Sequence, residues 1–512
     1  MISILWISIF LSVLAPLIFW FEGLKLGLNM FIYVTLFLAG LIYLLKKFNR
    51  VKSEKAKHMS IIIFILALTY FIYYNRFFNR WNLIVIPFLT LFMIQWMISG
   101  KFQFNLATIA RCFEMIFIPL DQIGDYNVAL KNEIKKNKEI SEEEKNQHKK
   151  SKKRLIAPLL ITILVVFIVG VILASADDDF ARIFGKIMNA IIEFFKNIKL
   201  WRLILRAIVA FIIYIYISSF FYTYCCVYQI KEKENVEKSK KDLLTLKMIL
   251  AGLNILYFIF VIVQFKAVLF PSGEIEYSKY AREGFFQLIG ISLLNLIMII
   301  YSIRNKHNED GKEVSYIKIM NTIMIIFTFA ILMSSVMKMY FCIDEFGYTI
   351  HRLVVWAALF EEFLLIIPTA LFINNEEINL SKYYFISIFA VYLIMNIVNF
   401  EYITASKNID RYYATGKIDL KYLEVYTGTD AIKPMMRIAE EENKADTNYT
   451  KTKSELNKYL RYVNKNTVGD MDFREFTISK FIAKCLTDNY VLDQENEKEE
   501  NKRSVFKNDN SL

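Results

Sequence analysis

The sequence predicts an all-α protein: a polytopic bundle of about 11 transmembrane helices, followed by a small helical C-terminal extramembrane domain. Three observations carry this. Of 512 residues, 55% are hydrophobic and 22% charged, whereas soluble domains run at roughly 45–50% apolar. Ten stretches of at least 17 residues contain no Asp, Glu, Lys or Arg, and a spanning helix needs about 20 apolar residues. These stretches do not alternate as barrel strands do, and an open strand leaves its backbone groups unsatisfied in lipid. Five cysteines without framework spacing exclude a disulfide scaffold, and 16 Gly with 7 Pro exclude a collagenous or low-complexity chain.

Taken in order, the charge-free stretches are Met1–Phe21, Leu26–Leu45, Met59–Asn75, Trp81–Gly100, Leu155–Ala176, Ala207–Ile230, Met248–Phe265, Gly284–Ile303, Ile319–Met337 and Tyr383–Phe400. Met1–Phe21 lacks a basic leader and a small-residue cleavage site, and a second apolar run follows at once. It therefore reads as half of a retained helical hairpin, not a secretion signal. Leu353–Ile373 is an eleventh candidate of sufficient length, interrupted by Glu361 and Glu362 near its middle.

Between spans, Lys101–Leu120 places Phe102, Leu106, Ile109, Phe113, Phe117 and Leu120 on one helical stripe, the pattern of a helix lying in the membrane interface. Asp177–Arg202 carries a second stripe (Phe180, Phe184, Ile187, Ile191, Phe194, Ile198, Trp201). Three aspartates precede it, where negative charge suits a helix N-terminus. Lys131–Lys153 is polar and Glu/Lys-dense, a solvated helix or arm. Residues 400–512 hold 19 Lys/Arg and 20 Asp/Glu with no run fit to span. There Asp472 is placed to cap a helix carrying Phe473, Phe476, Ile482 and Leu486, while Leu456, Tyr459, Leu460 and Val463 mark another. The expected organisation is 1–130 (hairpins and interfacial helix), 131–154 (charged linker), 155–400 (main bundle), 401–492 (helical tail) and 493–512 (disordered end).

The net charge of +12 follows membrane topology and not a nucleic-acid footprint. With the N-terminus inside, the inner loops 46–58, 99–154, 229–242, 304–316 and 374–382 hold 27 Lys/Arg, against 13 in the outer loops 22–25, 75–81, 174–202, 265–283 and 338–352. Basic residues concentrate in short cytoplasmic loops. Eleven spans then put the tail outside, by parity alone.

Several segments resemble a bacterial multi-spanning membrane family known as domain of unknown function 4173, related to 4153. They are Ser175–Phe180, Leu253–Phe265, Tyr277–Leu288 with its Arg-Glu-Gly-Phe core, Phe346–Arg352, Asn408–Tyr412, Ile418–Leu423, Thr429–Pro434 and Asp472–Phe476. The chain departs from that pattern at Asp178, at Phe400 and Glu401, and at Phe473. The resemblance implies the membrane architecture and a bacterial cytoplasmic membrane; it supplies no reaction.

The candidate residues fall in two groups. Glu361 and Glu362 lie inside a span, where a carboxylate costs about 2.5–3.5 kcal/mol and faces a cavity or a partner. One of them is expected to form a proton- or cation-linked site with Arg206 or His351, or else the pair is packed in a tilted or broken helix. Arg282 and Glu283 at the mouth of a span, with Asp344, Glu345, His351 and Arg352 in the next outer loop, are candidates for headgroup or substrate contact, or for an interfacial anchor. The four histidines are scattered, no metal-ligand spacing or phosphate loop occurs, and no metal or cofactor is expected. The partners expected are the lipid bilayer and an envelope protein docking on the tail, with no nucleic acid. Two function classes follow: a non-catalytic transporter-like or sensor component, or a membrane-embedded enzyme acting on a lipid-linked substrate at the outer face.

Overall fold

The computed structural model describes residues 1–19, 25–138, 182, 184–186, 188–189, 201–229, 243–269, 285–305, 311–440, 447–469 and 472–490. Among these the chain is helical, with no strand. In order the helices are α1 (Ile2–Ile18), α2 (Leu28–Lys47), α3 (His58–Ile72), α4 (Arg76–Ser99), α5 (Leu106–Asp121), α6 (Ile123–Lys138), α7 (Trp201–Tyr222), α8 (Leu243–Leu269), α9 (Phe285–Asn305), α10 (Gly311–Phe346), α11 (Ile350–Asn374) and α12 (Leu380–Ile397). The tail adds α13 (Phe400–Thr415), α14 (Leu420–Tyr426), α15 (Ile432–Glu440), α16 (Thr447–Val463) and α17 (478–490).

Nine helices among the described residues are long and apolar enough to cross a membrane, and α1 is a shorter apolar helix of 17 residues. Each expected span within the described residues falls on one of these ten; Leu155–Ala176 lies outside them. The chain is a multi-pass membrane protein with an all-α fold. Also outside the described residues are the linker beyond Lys138, nearly all of Asp177–Arg202, Arg282 and Glu283, and the end from 491 onwards.

Two compact units divide the chain. One comprises 1–24, 39–48 and 116–228. Within it α1 packs along α7, with Ser8, Ser12 and Ala15 of α1 buried; small side chains let two helices approach where no solvent drives them together. Tyr216 donates to the Ile116 carbonyl at 3.1 Å, and Tyr126 and Tyr214 share a hydroxyl contact at 3.4 Å.

The other unit comprises 25–38, 49–115 and 229–512. Its membrane core is built by α8, α9, α10 and α11, with Leu250, Leu296, Ile299, Ile317 and Leu359 buried at the centre. α12 packs on α11 and on α3, which in turn packs on α4. Helix ends follow capping rules: the side chains of Asn75, Asn379 and Asn399 accept backbone N–H groups of the first turns of α4, α12 and α13.

The helix expected to lie in the interface begins later than its sequence stripe. Phe102 does not lie on it but packs in the preceding loop against Trp96, at 4.9 Å between ring centroids. α5 itself keeps Leu106, Phe113, Phe117 and Leu120 exposed, and its 16 residues reach about 24 Å, short of the ~30 Å hydrocarbon core. The tail corrects a second boundary. Asp472 caps only the 3-10 turn Phe473–Glu475, and Thr477 caps α17 through the Lys480 N–H at 3.0 Å.

The tail has its own apolar core, formed by Ile409, Leu423, Ile432, Met435, Leu456 and Leu460. It joins the second unit at one end of the spans. The segments it touches are 25–28 before α2, Tyr74 between α3 and α4, and 344–350 between α10 and α11.

Candidate functional site

Glu362 is the thirteenth of the 25 residues of α11, the middle of a spanning helix, and it is 2% exposed. Consecutive helical residues point about 100° apart, and the two glutamates diverge accordingly. Glu361 is half-buried and accepts from the Ser387 hydroxyl of α12 at 3.1 Å. Glu362 lies beside Ser292 of α9, but that hydroxyl donates to the Leu288 carbonyl at 2.9 Å. Neither oxygen of Glu362 has a hydrogen-bond partner, and Glu361 Oε1 also lacks one.

Buried amides recur on α8, α9 and α10 of the same helix group. Asn295 donates to Thr328 at 3.1 Å, Asn254 to the Met320 carbonyl at 3.0 Å, and Ser302 to Asn321 at 2.9 Å. Each amide is only half satisfied: Asn295 Oδ1, Asn254 Oδ1 and Asn321 Nδ2 are buried without a partner. Native interiors leave few polar atoms in this state, and each marks a place open to water, an ion or a proton. Lys338 joins the buried polar set at 4% exposure. The sequence missed it, because the charge-free criterion ends the span at Met337 while α10 continues to Phe346.

One partner expected for the glutamates, His351, lies elsewhere. His351 stands ten residues before Glu361 on the same helix, about 15 Å along its axis, and its ring meets Phe77 edge-on at 5.8 Å. Arg206 stands half-buried on α7, in the first unit.

The outer-loop candidates are brought together, but as a joint. Gly347 ends α10 in the left-handed region (φ +77°), and its N–H returns to the Ile343 carbonyl at 2.7 Å. Arg352 donates to the Phe346 and Gly347 carbonyls at 3.2 and 2.6 Å, and Arg411 of the tail donates to the Asp344 and Glu345 carbonyls at 3.2 and 2.6 Å. Two guanidinium groups thus satisfy the open carbonyls of a helix C-terminus, where positive charge is favoured. Asn408 exchanges hydrogen bonds with the backbone of Tyr348 at 2.7 and 3.0 Å, and the Ile350 N–H donates to the Tyr422 hydroxyl at 2.9 Å. A Cβ on Gly347 would stand 2.5 Å from Asn408 Oδ1, so only glycine fits. Asp344 and Glu345 contribute carbonyls here, and their carboxylates stay exposed. No group of three or more His, Cys, Asp or Glu among the described residues is placed to hold a metal.

Two further carboxylates complete the joint. Asp430 accepts the Tyr74 N–H at 3.1 Å and the Asn399 amide at 2.8 Å. Burial raises its pKa above the ordinary carboxylate range, against the pull of Ser479, Asn399 and the Tyr74 N–H. Glu475 receives Lys25 at 3.0 Å and the buried Lys480 at 2.9 Å. Burial alone would raise its pKa, yet these two ammonium groups prevail and hold it below the usual range. The segments Phe346–Arg352, Asn408–Tyr412, Ile418–Leu423, Thr429–Pro434 and Asp472–Phe476 therefore share one structural task, fastening the tail to the bundle end.

A family model described as "Domain of unknown function (DUF4153)" matches residues 60–438, from α3 into α15, taking in the glutamate pair and most of the joint. No curated protein and no solved structure matches the chain.

Proposed function

The chain belongs to the DUF4153 family, and from that premise we propose a non-catalytic, transporter-like component of the bacterial cell envelope in which Glu362 carries a proton or a cation within the bundle. The nearer likeness to domain of unknown function 4173 is part of this proposal. The observation that carries it is the Glu362 carboxylate, buried at the middle of a span with neither oxygen hydrogen-bonded. A bare carboxylate there is costly, and the chemistry open to it is to bind a proton or a small cation. Half-satisfied amides on α8, α9 and α10 supply further ligands or water contacts in the same helix group. Exposed carboxylates at Asp344 and Glu345, with Arg352 committed to carbonyls, offer no support for chemistry on a lipid-linked substrate.

The test is reconstitution of the full chain in proteoliposomes loaded with a pH-sensitive dye. Under an imposed ion gradient the wild type is expected to move protons or cations, and Glu361→Gln with Glu362→Gln to lose that flux. Equal flux from both proteins would overturn the proposal.

The same reading orients the chain with its N-terminus in the cytoplasm and its tail outside. The excess of Lys/Arg in the inner loops supports this. So does the tail's attachment to segments 25–28, 74 and 344–350, which belong to or border loops assigned outside. An envelope protein partner then docks on the tail from outside. In a Cys485→Ser background, Lys421→Cys is expected to react with a membrane-impermeant maleimide in intact cells. Reaction only after permeabilisation reverses the orientation.

A further inference from the structure

Four large apolar side chains within ten residues of the tail stand exposed: Phe473 (57%), Ile478 (37%), Phe481 (51%) and Ile482 (45%). Ile478, Phe481 and Ile482 follow i, i+3, i+4 spacing on α17 and share one face. Exposed apolar clusters of this kind mark contact surfaces.

What covers this stretch follows from where it is fastened. The Phe476 carbonyl accepts the N–H of Leu28 at 3.0 Å, and Leu28 is the first residue of α2. The 20 residues of α2 extend about 30 Å, the thickness of the hydrocarbon core, so Leu28 marks the boundary of that core. Phe476 also meets Phe71, next to the last residue of α3, at 6.1 Å between ring centroids. Gly27 lies so close beneath the turn that a Cβ would come within 2.8 Å of the Glu475 backbone carbon. The stretch therefore stands at the depth where two spanning helices leave the hydrocarbon. Behind it a cavity of ≈ 160 Å³ is apolar along Ile72, Ile482 and Leu486 and polar at Asp430 and Lys433.

We propose that residues 473–482 dip into the adjacent lipid leaflet, so that the tail is anchored in the membrane interface and not held clear of it. Aromatic and branched side chains on one face of a helix suit that zone. The claim rests on the chain spanning the bilayer, holds for either orientation, and is independent of the role given to Glu362.

The test uses full-length protein in nanodiscs of phosphatidylcholine and phosphatidylglycerol. A nitroxide is placed on Ile482→Cys with Cys226, Cys342 and Cys485 changed to serine, and its collisions with oxygen and with a water-soluble nickel chelate are compared by power saturation. Collisions dominated by oxygen are expected; collisions dominated by nickel overturn the proposal. A label on native Cys485, exposed and one turn further along α17, gives the same comparison without altering the apolar stretch. The double variant Phe481→Ser with Ile482→Ser is expected to retain fewer phospholipids through detergent purification while melting normally; an unchanged lipid count counts against the inference.

Discussion

Glu475→Ala loosens the tail from the bundle end, with an expected loss of about 3–5 kcal/mol, the range for removing one partner of a buried ion pair. The magnitude comes from Lys480, which is 2% exposed and 2.9 Å from Glu475 Oε2. Without the carboxylate its ammonium keeps only the face of Tyr74, 4.2 Å from the ring centroid. That cation–π contact is worth roughly 0.5–2 kcal/mol and places the loss toward the lower end. Lys25 adds little, because its side chain is 41% exposed and exposed pairs contribute about 0–1 kcal/mol. The measurement is limited proteolysis of the tail against temperature in the full-length protein. Adding Lys480→Met to Glu475→Ala removes the stranded charge and is expected to recover much of the loss. If Glu475→Ala melts like the wild type, the ion triad does not hold the joint.

The pH dependence of this effect has a definite sign. The folded pKa of Glu475 lies below its unfolded value, near 4.3. Its contribution is fully present above that unfolded value and is lost as the pH falls through the folded one. The stability difference between wild type and Glu475→Gln is therefore flat from neutral pH down to about 5 and closes in stronger acid. Asp430 is shifted the other way, so its protonation favours the joint as the pH falls, and it cancels in that difference because both proteins carry it.

Glu362→Leu raises thermal stability while abolishing flux. Relief of a buried, unsatisfied polar group is worth about 1–3 kcal/mol, and leucine fits a position bordered by the apolar core of α9, α10 and α11. A protein that keeps a destabilising group at a working site gains stability when the group is removed and loses function in exchange. Melting in detergent and proteoliposome flux measure the two halves separately. A lower melting temperature for Glu362→Leu means that the carboxylate has a structural partner, and the carrier role falls with it.

The spans were legible in the sequence because lipid imposes a local rule. A helix that crosses it must be apolar over its own length, whatever lies beside it. Hence α2, α4, α7 and α12 follow from charge-free runs alone, and the tail's helical character follows from its stripes and caps. The tertiary structure decided whatever depends on a partner distant in sequence. Lys25 and Glu475 are 450 residues apart and Tyr74 and Asp430 are 356 apart, so no local pattern reveals either pair. Arg352, which alone reads as an outer-face ligand, serves a helix end, and Lys338, which alone reads as the end of a span, lies buried within one. For Glu362 the sequence supplied the depth and the packing of α9 against α11 supplied the burial. Depth is a property of one helix, whereas desolvation is a property of its neighbours.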